Sequence, residues 1–359
     1  MSELRVTVLM TVYNGLPFVR EAVHSVLGQT FREFEFLIIE DGSTDGSREW
    51  LGTIQDPRVR LERNDRNRGQ VWSLNRGLEL SRGECVARLD QDDLCLPDRL
   101  VKQLAWLDAH PQAAAVGTLM AGIDVEGRRN GWLLGRRQGN YGSFVASLLL
   151  GLTPVCHPSV MFRRRIVQEL GGYDEAFAPA EDVELWVRLA IHRHYAGVIP
   201  EPLVLSRMHP GQQSVIKAQL QQRNLWRAQE RLLARFCPEE ARAAMASLWR
   251  RDEQLWHWCG SKARWVWLCD ALGVMIDNLQ FSPEERLAFV KLMDRWLGPG
   301  VRAAGRLAAW PAWAFYPALV ALSPLLVPGV RGRLSRVVGR LRRLRSDAAA
   351  ERPGSAVSR

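Results

Sequence analysis

The feature that most restricts this chain is its punctuation. Over roughly its first 110 residues, short apolar runs alternate with segments of helical period, and the runs stop on turn-forming or acidic residues. Residues 6–10, 34–39, 59–61 and 85–89 read as strands. Between the first two, Phe18, Val19, Ala22, Val23, Val26 and Leu27 form one helical stripe before Gly28, with Pro17 placed at the first helical position. Further helices are predicted over 47–54, over 70–80, and from near Asp98, just after Pro97, to about Ala109. Strands that alternate with helices of this length predict an α/β fold built on a mixed, mainly parallel sheet.

The 359 residues suffice for one large or two ordinary domains with hydrophobic cores. The formal net charge of +9 would suit a nucleic-acid partner, so its location matters. From Gly300 onward there are eleven arginines, no lysine and two acids, which places the whole excess in the tail and leaves residues 1–299 neutral. A neutral body with a basic tail is not a nucleic-acid-binding face, and no nucleic-acid partner is expected. The six cysteines (85, 95, 156, 237, 259, 269) include no CxxC pair, which excludes the familiar zinc frameworks and points to reduced thiols. With no signal-like segment ahead of the first strand, a cytoplasmic catalytic portion is expected.

The middle of the chain is less regular. A glycine- and arginine-rich stretch over 126–142 leads to 143–150, a loop over 153–159, a short run at 160–163, the turn Gly171-Gly-Tyr-Asp174, and a helix over 181–192. Residues 120–160 hold no motif with a chemical reading. From Lys217 to about Leu297 the pattern is helical, and its tryptophans (226, 249, 256, 258, 265, 267, 296) read as packing between helices. Residues 307–330 carry no charge, but Pro311, Pro317, Pro324 and Pro328 argue against a straight spanning helix. Trp310, Trp313 and Tyr316, followed by the arginines from Arg331, suit an interfacial or re-entrant anchor on the inner face of the cytoplasmic membrane.

Ligands of open α/β sheets bind at the carboxyl ends of the strands, and three such ends here carry unusual residues. The first runs into Thr11-Val-Tyr-Asn-Gly15, where Tyr13 could stack on a flat base. The second ends in Glu40-Asp41, a carboxylate pair able to accept from a base N–H or a ribose hydroxyl. The fourth ends in Asp90-Gln-Asp-Asp93, three carboxylates in four residues whose mutual repulsion a divalent cation would relieve. Oxygen donors point to Mg²⁺ or Mn²⁺ rather than zinc. A second acidic pair, Glu181-Asp182, opens a helix. It reads either as complementing the helix dipole or as a general base for an attacking hydroxyl.

Taken in order, Val6-Thr-Val-Leu-Met-Thr-Val-Tyr-Asn-Gly15, Ser25-Val-Leu-Gly-Gln-Thr30, Phe36-Leu-Ile-Ile-Glu-Asp-Gly-Ser-Thr-Asp-Gly-Ser47, Asn75-Arg-Gly77 with Gly83-Glu84, and Asp90-Gln-Asp-Asp93 resemble the family-2 inverting glycosyltransferases of GT-A fold. Gly171-Gly-Tyr-Asp174, Glu181-Asp-Val-Glu-Leu-Trp-Val-Arg-Leu189 and Arg207-Met-His-Pro-Gly211 continue the likeness, which covers about residues 4–215. The resemblance implies that Thr11, Tyr13, Asp41 and Asp90 bind the donor nucleotide. It gives Asp92, with Asp90 and His209, to the metal, and makes Asp182 the catalytic base. His157 and Glu181 become loop-ordering or acceptor-side candidates. Many members carry proline where this chain has Thr11.

The implied reaction is a single displacement: a sugar passes from a nucleoside diphosphate, uridine by family habit, to a hydroxyl of a glycan or lipid-linked glycan, with inversion. The organisation expected is a nucleotide-sugar half over 1–115, an acceptor and base half over 116–216, a helical region over 217–298, and a membrane-associating tail over 299–359. A dinucleotide oxidoreductase would need Gly-x-Gly-x-x-Gly after the first strand, where this chain has Thr11-Val-Tyr-Asn-Gly15. A nucleotidyltransferase would show a glycine-rich, lysine-bearing phosphate loop. The rival that shares the fold, a non-catalytic membrane-associated nucleotide- or glycan-binding protein, would predict loss of the acidic residues. Asp41, Asp90, Asp92 and Asp182 are all present.

Overall fold

The computed structural model describes residues 4–135, 139–212, 216–240, 242, 275, 277–289 and 291. Four parallel strands, β1 (Val6–Val12), β2 (Phe34–Glu40), β3 (Val59–Arg63) and β4 (Cys85–Arg88), lie in the order β3-β2-β1-β4. The helices α1 (Val19–Leu27), α2 (Ser47–Leu51) and α3 (Gln70–Leu80) connect them. Every residue of β2 and of β4 is buried, which is why these strands read as continuous apolar runs rather than alternating ones. On α1 the buried residues Val19, Ala22, Val23 and Val26 make the predicted stripe. The helix begins at Val19, however, and Pro17 sits in the turn before it, after a cis bond, rather than at the first helical position. Gly77 lets α3 press onto β1, because a Cβ there would stand 2.3 Å from Leu9 Cδ1.

Then follow β5 (Leu94–Cys95), α4 (Arg99–Ala109), β6 (Ala115–Ile123), β7 (Arg129–Leu134), α5 (Tyr141–Leu149), β8 (Met161–Arg163), α6 (Arg164–Glu169), α7 (Glu181–Ile191), β9 (Ala196–Arg207) and α8 (Ala218–Phe236). Here the sheet turns mixed. β8 runs antiparallel to β4 and to the start of β6, β9 parallel to β6, and β5 antiparallel to β9. The full order is β3-β2-β1-β4-β8-β6-β9-β5, with β7 antiparallel to the second half of β6. Fully buried Arg99 on α4 donates to the carbonyls of Arg88 and Val160, which fastens this helix across the β4–β8 seam.

The chain divides into two compact units, Met1–Arg235 and Phe236–Arg359. The boundary expected near residue 216 therefore falls inside the first unit. There α8 is tied down by Gln229 Nε2 on the Leu148 carbonyl (2.8 Å) and Asn224 Nδ2 on the Ala178 carbonyl (2.8 Å). In the second unit, Ser282 and Glu285 cap a helix start reciprocally: Ser282 N–H donates to Glu285 Oε2 at 2.8 Å and Glu285 N–H to Ser282 Oγ at 3.2 Å. Trp226 is exposed on α8, whereas the other tryptophans singled out after residue 217, and the apolar and arginine-rich tail, lie outside the described residues. Among the described residues no helix is long and apolar enough to cross a membrane.

Candidate active site

The carboxyl ends of β1, β2 and β4 stand side by side, since Val12 pairs with Glu40 and Leu9 with Arg88. The loops leaving β1 and β2 are sewn together. Asn14 N–H donates to Ser43 Oγ (3.1 Å), Thr44 N–H to Asn14 Oδ1 (2.9 Å), and Gly15 N–H to Ser47 Oγ (3.0 Å). Tyr13 is held at its backbone and exposed at its side chain. Gln91 Oε1 accepts its N–H at 2.9 Å, Gln91 Nε2 donates to its carbonyl at 3.1 Å, and the side chain is 42% exposed. Thr11 is half-buried at the end of β1.

Asp41 shapes the neighbouring loop. Its Oδ1 accepts from Asn64 Nδ2 (2.6 Å) and Arg68 N–H (2.9 Å), and its Oδ2 from Gly69 N–H (3.0 Å). One lone pair on Oδ2 is left for a ligand. The loop's approach depends on Gly42, at φ +79°, where a Cβ would meet the Arg66 and Asn67 backbone at 2.6 Å.

At Asp90-Gln-Asp-Asp93 each carboxylate has its own protein partner, yet the three still repel one another: alongside burial, the Asp92 charge raises both Asp90 and Asp93. Asp90 pairs bidentately with buried Arg88, with Nη1 to Oδ2 at 2.9 Å and Nη2 on Oδ1. Asp92 Oδ2 lies 2.8 Å from His209 Nε2. Asp93, buried, accepts the Arg207 N–H at 3.0 Å, and burial together with the charges of Asp92 and Asp90 holds its carboxyl well above the usual range. Arg207 is fully buried and organises this corner. Its Nε donates to the Asp92 carbonyl (3.2 Å), its Nη1 to the Asp124 and Val125 carbonyls (3.2 and 3.0 Å), and its Nη2 to Glu21 (2.8 Å).

Of the three expected metal donors, Asp92 and His209 touch each other, while Asp90 is turned to Arg88. Among the described residues no group of three or more His, Cys, Asp or Glu side chains forms a metal cage. The Asp92–His209 pair stays partly exposed, and its carboxylate oxygen and imidazole nitrogen, 2.8 Å apart, are donors that would suit a divalent cation. Such a pair fits a cation that draws its remaining oxygens from water and a diphosphate.

The base side is built by α7 and the turn before it. Asn75 clasps the Tyr173 backbone, accepting its N–H at 2.7 Å and donating to its carbonyl at 2.9 Å. Arg188 donates to the Leu170 and Gly172 carbonyls, each at 2.6 Å. Tyr173 Oη in turn meets His157 Nε2 at 2.8 Å. Burial and the Arg88 charge hold His157 well below the usual imidazole range, which favours its neutral form.

Asp182, half-buried, takes backbone N–H groups of its own turn and has no side-chain partner among the described residues. Burial raises its carboxyl above the usual range, against the pull of Arg88. Glu181 is 5% exposed, with Oε2 facing no donor among the described residues, and burial with Asp182's charge beside it pushes it up to about 7. The Arg88 charge acts on Asp90, Glu181, Asp182 and His157 alike, which brings the acidic turn and the head of α7 into one electrostatic site.

Reasoning from the sequence missed Arg88, Gln91, Asn64 and Arg207. Arg88 left a signal: it is the one charge in the buried strand Cys85-Val-Ala-Arg88, two residues before Asp90 and so on the same face. Gln91 and Arg207 act on backbone atoms distant in sequence, and Asn64 reaches the Asp41 carboxylate with its side chain from another loop, so no local pattern announces them.

Residues 7–171 match the family model described as Glycosyl transferase family 2. EpsE of Bacillus subtilis (strain 168) is 32% identical over 190 residues, which cover 51% of this chain and 66% of that protein. A protein of Haemophilus influenzae is 28% identical over 230 residues, covering 62% and 84%. MJ1057 of Methanocaldococcus jannaschii is 27% identical over 209 residues, covering 56% and 70%. All three carry glycosyltransferase in their names. Among solved structures, residues 1–349 of S. aureus TarS in complex with UDP-GlcNAc share the fold at a TM-score of 0.54 and 16% identity, over 88% of this chain and 89% of that one.

Proposed function

The chain belongs to glycosyl transferase family 2, and from that premise we propose that it transfers a sugar from a nucleoside diphosphate, a UDP-sugar, to a hydroxyl of a glycan or lipid-linked glycan with inversion. The observation that carries this reading is the placement of Asp182. A half-buried carboxylate with no side-chain partner among the described residues shares the Arg88 field with the acidic turn at the end of β4. The UDP-GlcNAc held by a TarS structure of the same fold supports the choice of donor.

Tyr13 offers its exposed ring to the base and Asp41 the remaining lone pair of Oδ2 to the nucleoside. Asp92 and His209 would hold Mg²⁺ or Mn²⁺. When bound, such a cation supplies Lewis-acid neutralisation of the diphosphate leaving group. Asp182 takes the proton from the acceptor hydroxyl, whose oxygen attacks the anomeric carbon as the bond to the diphosphate breaks. Burial raises the basicity of Asp182, and a positioned base of this kind is worth about 10²–10⁴ in rate. The apolar and arginine-rich tail supports attachment at the inner face of the cytoplasmic membrane.

A calorimetric panel of nucleotide sugars, with and without Mn²⁺, tests the donor assignment. One donor should bind in a Mn²⁺-dependent way, and Asp92→Ala should weaken Mn²⁺ and donor binding by about tenfold or more. A folded Asp92→Ala protein that binds both as well as the parent would remove the cation from the scheme.

A further inference from the structure

The β6–β7 hairpin shows an apolar surface that neither the sheet nor the site uses. All six residues of β7 are exposed, and among the described residues this strand pairs with β6 alone. Leu133 is 58% exposed, Leu134 42% and Trp132 38%. Side chains alternate along a strand, so Trp132 and Leu134 stand on one face and Leu133 on the other. An apolar strand end exposed on both faces, opposite Met120 and Ala121 of β6 and away from the turn of the hairpin, is a poor match for one wall of a protein groove, and a good one for a fluid medium that closes around it.

The surrounding charge says which medium. In the sequence the apolar triplet lies between Arg128-Arg129 and Arg136-Arg137. Arg128 is shared by Asp124 and Glu126 at 2.9 Å each, and exposed Arg129, which has no acidic partner among the described residues, brings this turn to neutrality, so the positive excess of the stretch comes in the sequence from Arg136 and Arg137. Tryptophan and leucine beside unpaired arginine make the composition of an anionic membrane interface.

The patch is continuous with the rim of the site. Asn130 Nδ2 contacts Met208 Sδ at 3.3 Å, Met208 is itself exposed and precedes His209, and Arg207 grips the hairpin at the carbonyls of Asp124 and Val125. We infer that Trp132, Leu133 and Leu134, with Arg129 at their side, dock the first unit onto an anionic lipid surface and set the rim of the active site against the bilayer. The contact belongs to the folded body and adds to any made by the C-terminal tail. It deepens the reading of the acceptor as lipid-linked, because an acceptor hydroxyl would then be met at the headgroup level.

The test uses the full chain carrying Leu133→Cys, with Cys259 and Cys269 changed to Ser, labelled at position 133 with an environment-sensitive fluorophore. The four cysteines within the described residues are buried. On vesicles of mixed phosphatidylglycerol and phosphatidylcholine the emission should shift to the blue and be quenched by doxyl-labelled lipid, and on phosphatidylcholine alone it should do neither. Arg129→Glu should cut the bound fraction by about fivefold or more. A chain that sediments with the mixed vesicles while the fluorophore keeps its aqueous spectrum would overturn the inference and leave the tail as the sole anchor. Failure to bind these vesicles would overturn it as well. So would a blue shift without lipid that grows with protein concentration, which would assign the patch to a second copy of the chain. Donor binding by the same labelled protein reports folding and the glycosyltransferase reading separately.

Discussion

Glu181 shows how a single carboxyl ties burial to pH. Its group is pushed up to about 7 from an ordinary 4.5, so the folded protein retains a proton that the unfolded chain releases. Stability must therefore fall as pH rises from about 4.5 to about 7 and level off above. Glu181→Gln keeps the shape of the protonated acid without its titration. It should be about as stable as the parent near pH 4.5 and more stable at pH 8, by up to roughly 3 kcal/mol. Urea unfolding at the two pH values checks this, and a stability difference independent of pH would mean that Glu181 is ionised in the fold. At this scale the sequence was a partial guide. It marked the carboxylates of the acidic turn but not how they pair: Asp90 meets Arg88, Asp92 meets His209, and Asp93 accepts the Arg207 N–H. Those partners lie on other elements or, like Arg88, read as part of an apolar run.

At the scale of elements, β1, β2, β4 and the helices between them were legible because each is a local pattern: a largely buried run of four to seven residues, or a stripe repeating every three or four. β9 was not. Pro200 and Pro202 interrupt it, the residues about Pro200 turn outward, and its register against β6 shifts between Thr118 and Met120. Proline in a strand reads as a break, although at a bulge it costs no ladder bond. β7 was hidden for a different reason, since every side chain on it is exposed and no buried face imposes a period. The loop after β3 offers the prediction for this scale. Gly42→Ala would place a Cβ into the Arg66–Asn67 backbone at a positive φ, and should cost about 2 kcal/mol or more while weakening donor binding. Thermal unfolding and a donor titration measure the two effects. A neutral outcome in both would mean that Asp41 and this loop do not hold the nucleotide.

At the scale of the whole molecule, the first unit carries the sheet, the acidic turn, the base and the hairpin patch, and the family match lies within it. The central claim is that Asp182 is the base of a sugar transfer served by this turn. It is tested most directly by the metal-dependent turnover of a nucleotide sugar, measured for the parent and for Asp182→Ala with donor affinity determined in parallel. The account predicts that turnover falls by about 10²–10⁴ while donor affinity stays within a few-fold of the parent. Undiminished turnover in Asp182→Ala would contradict it, as would a loss of turnover that merely follows a loss of donor binding.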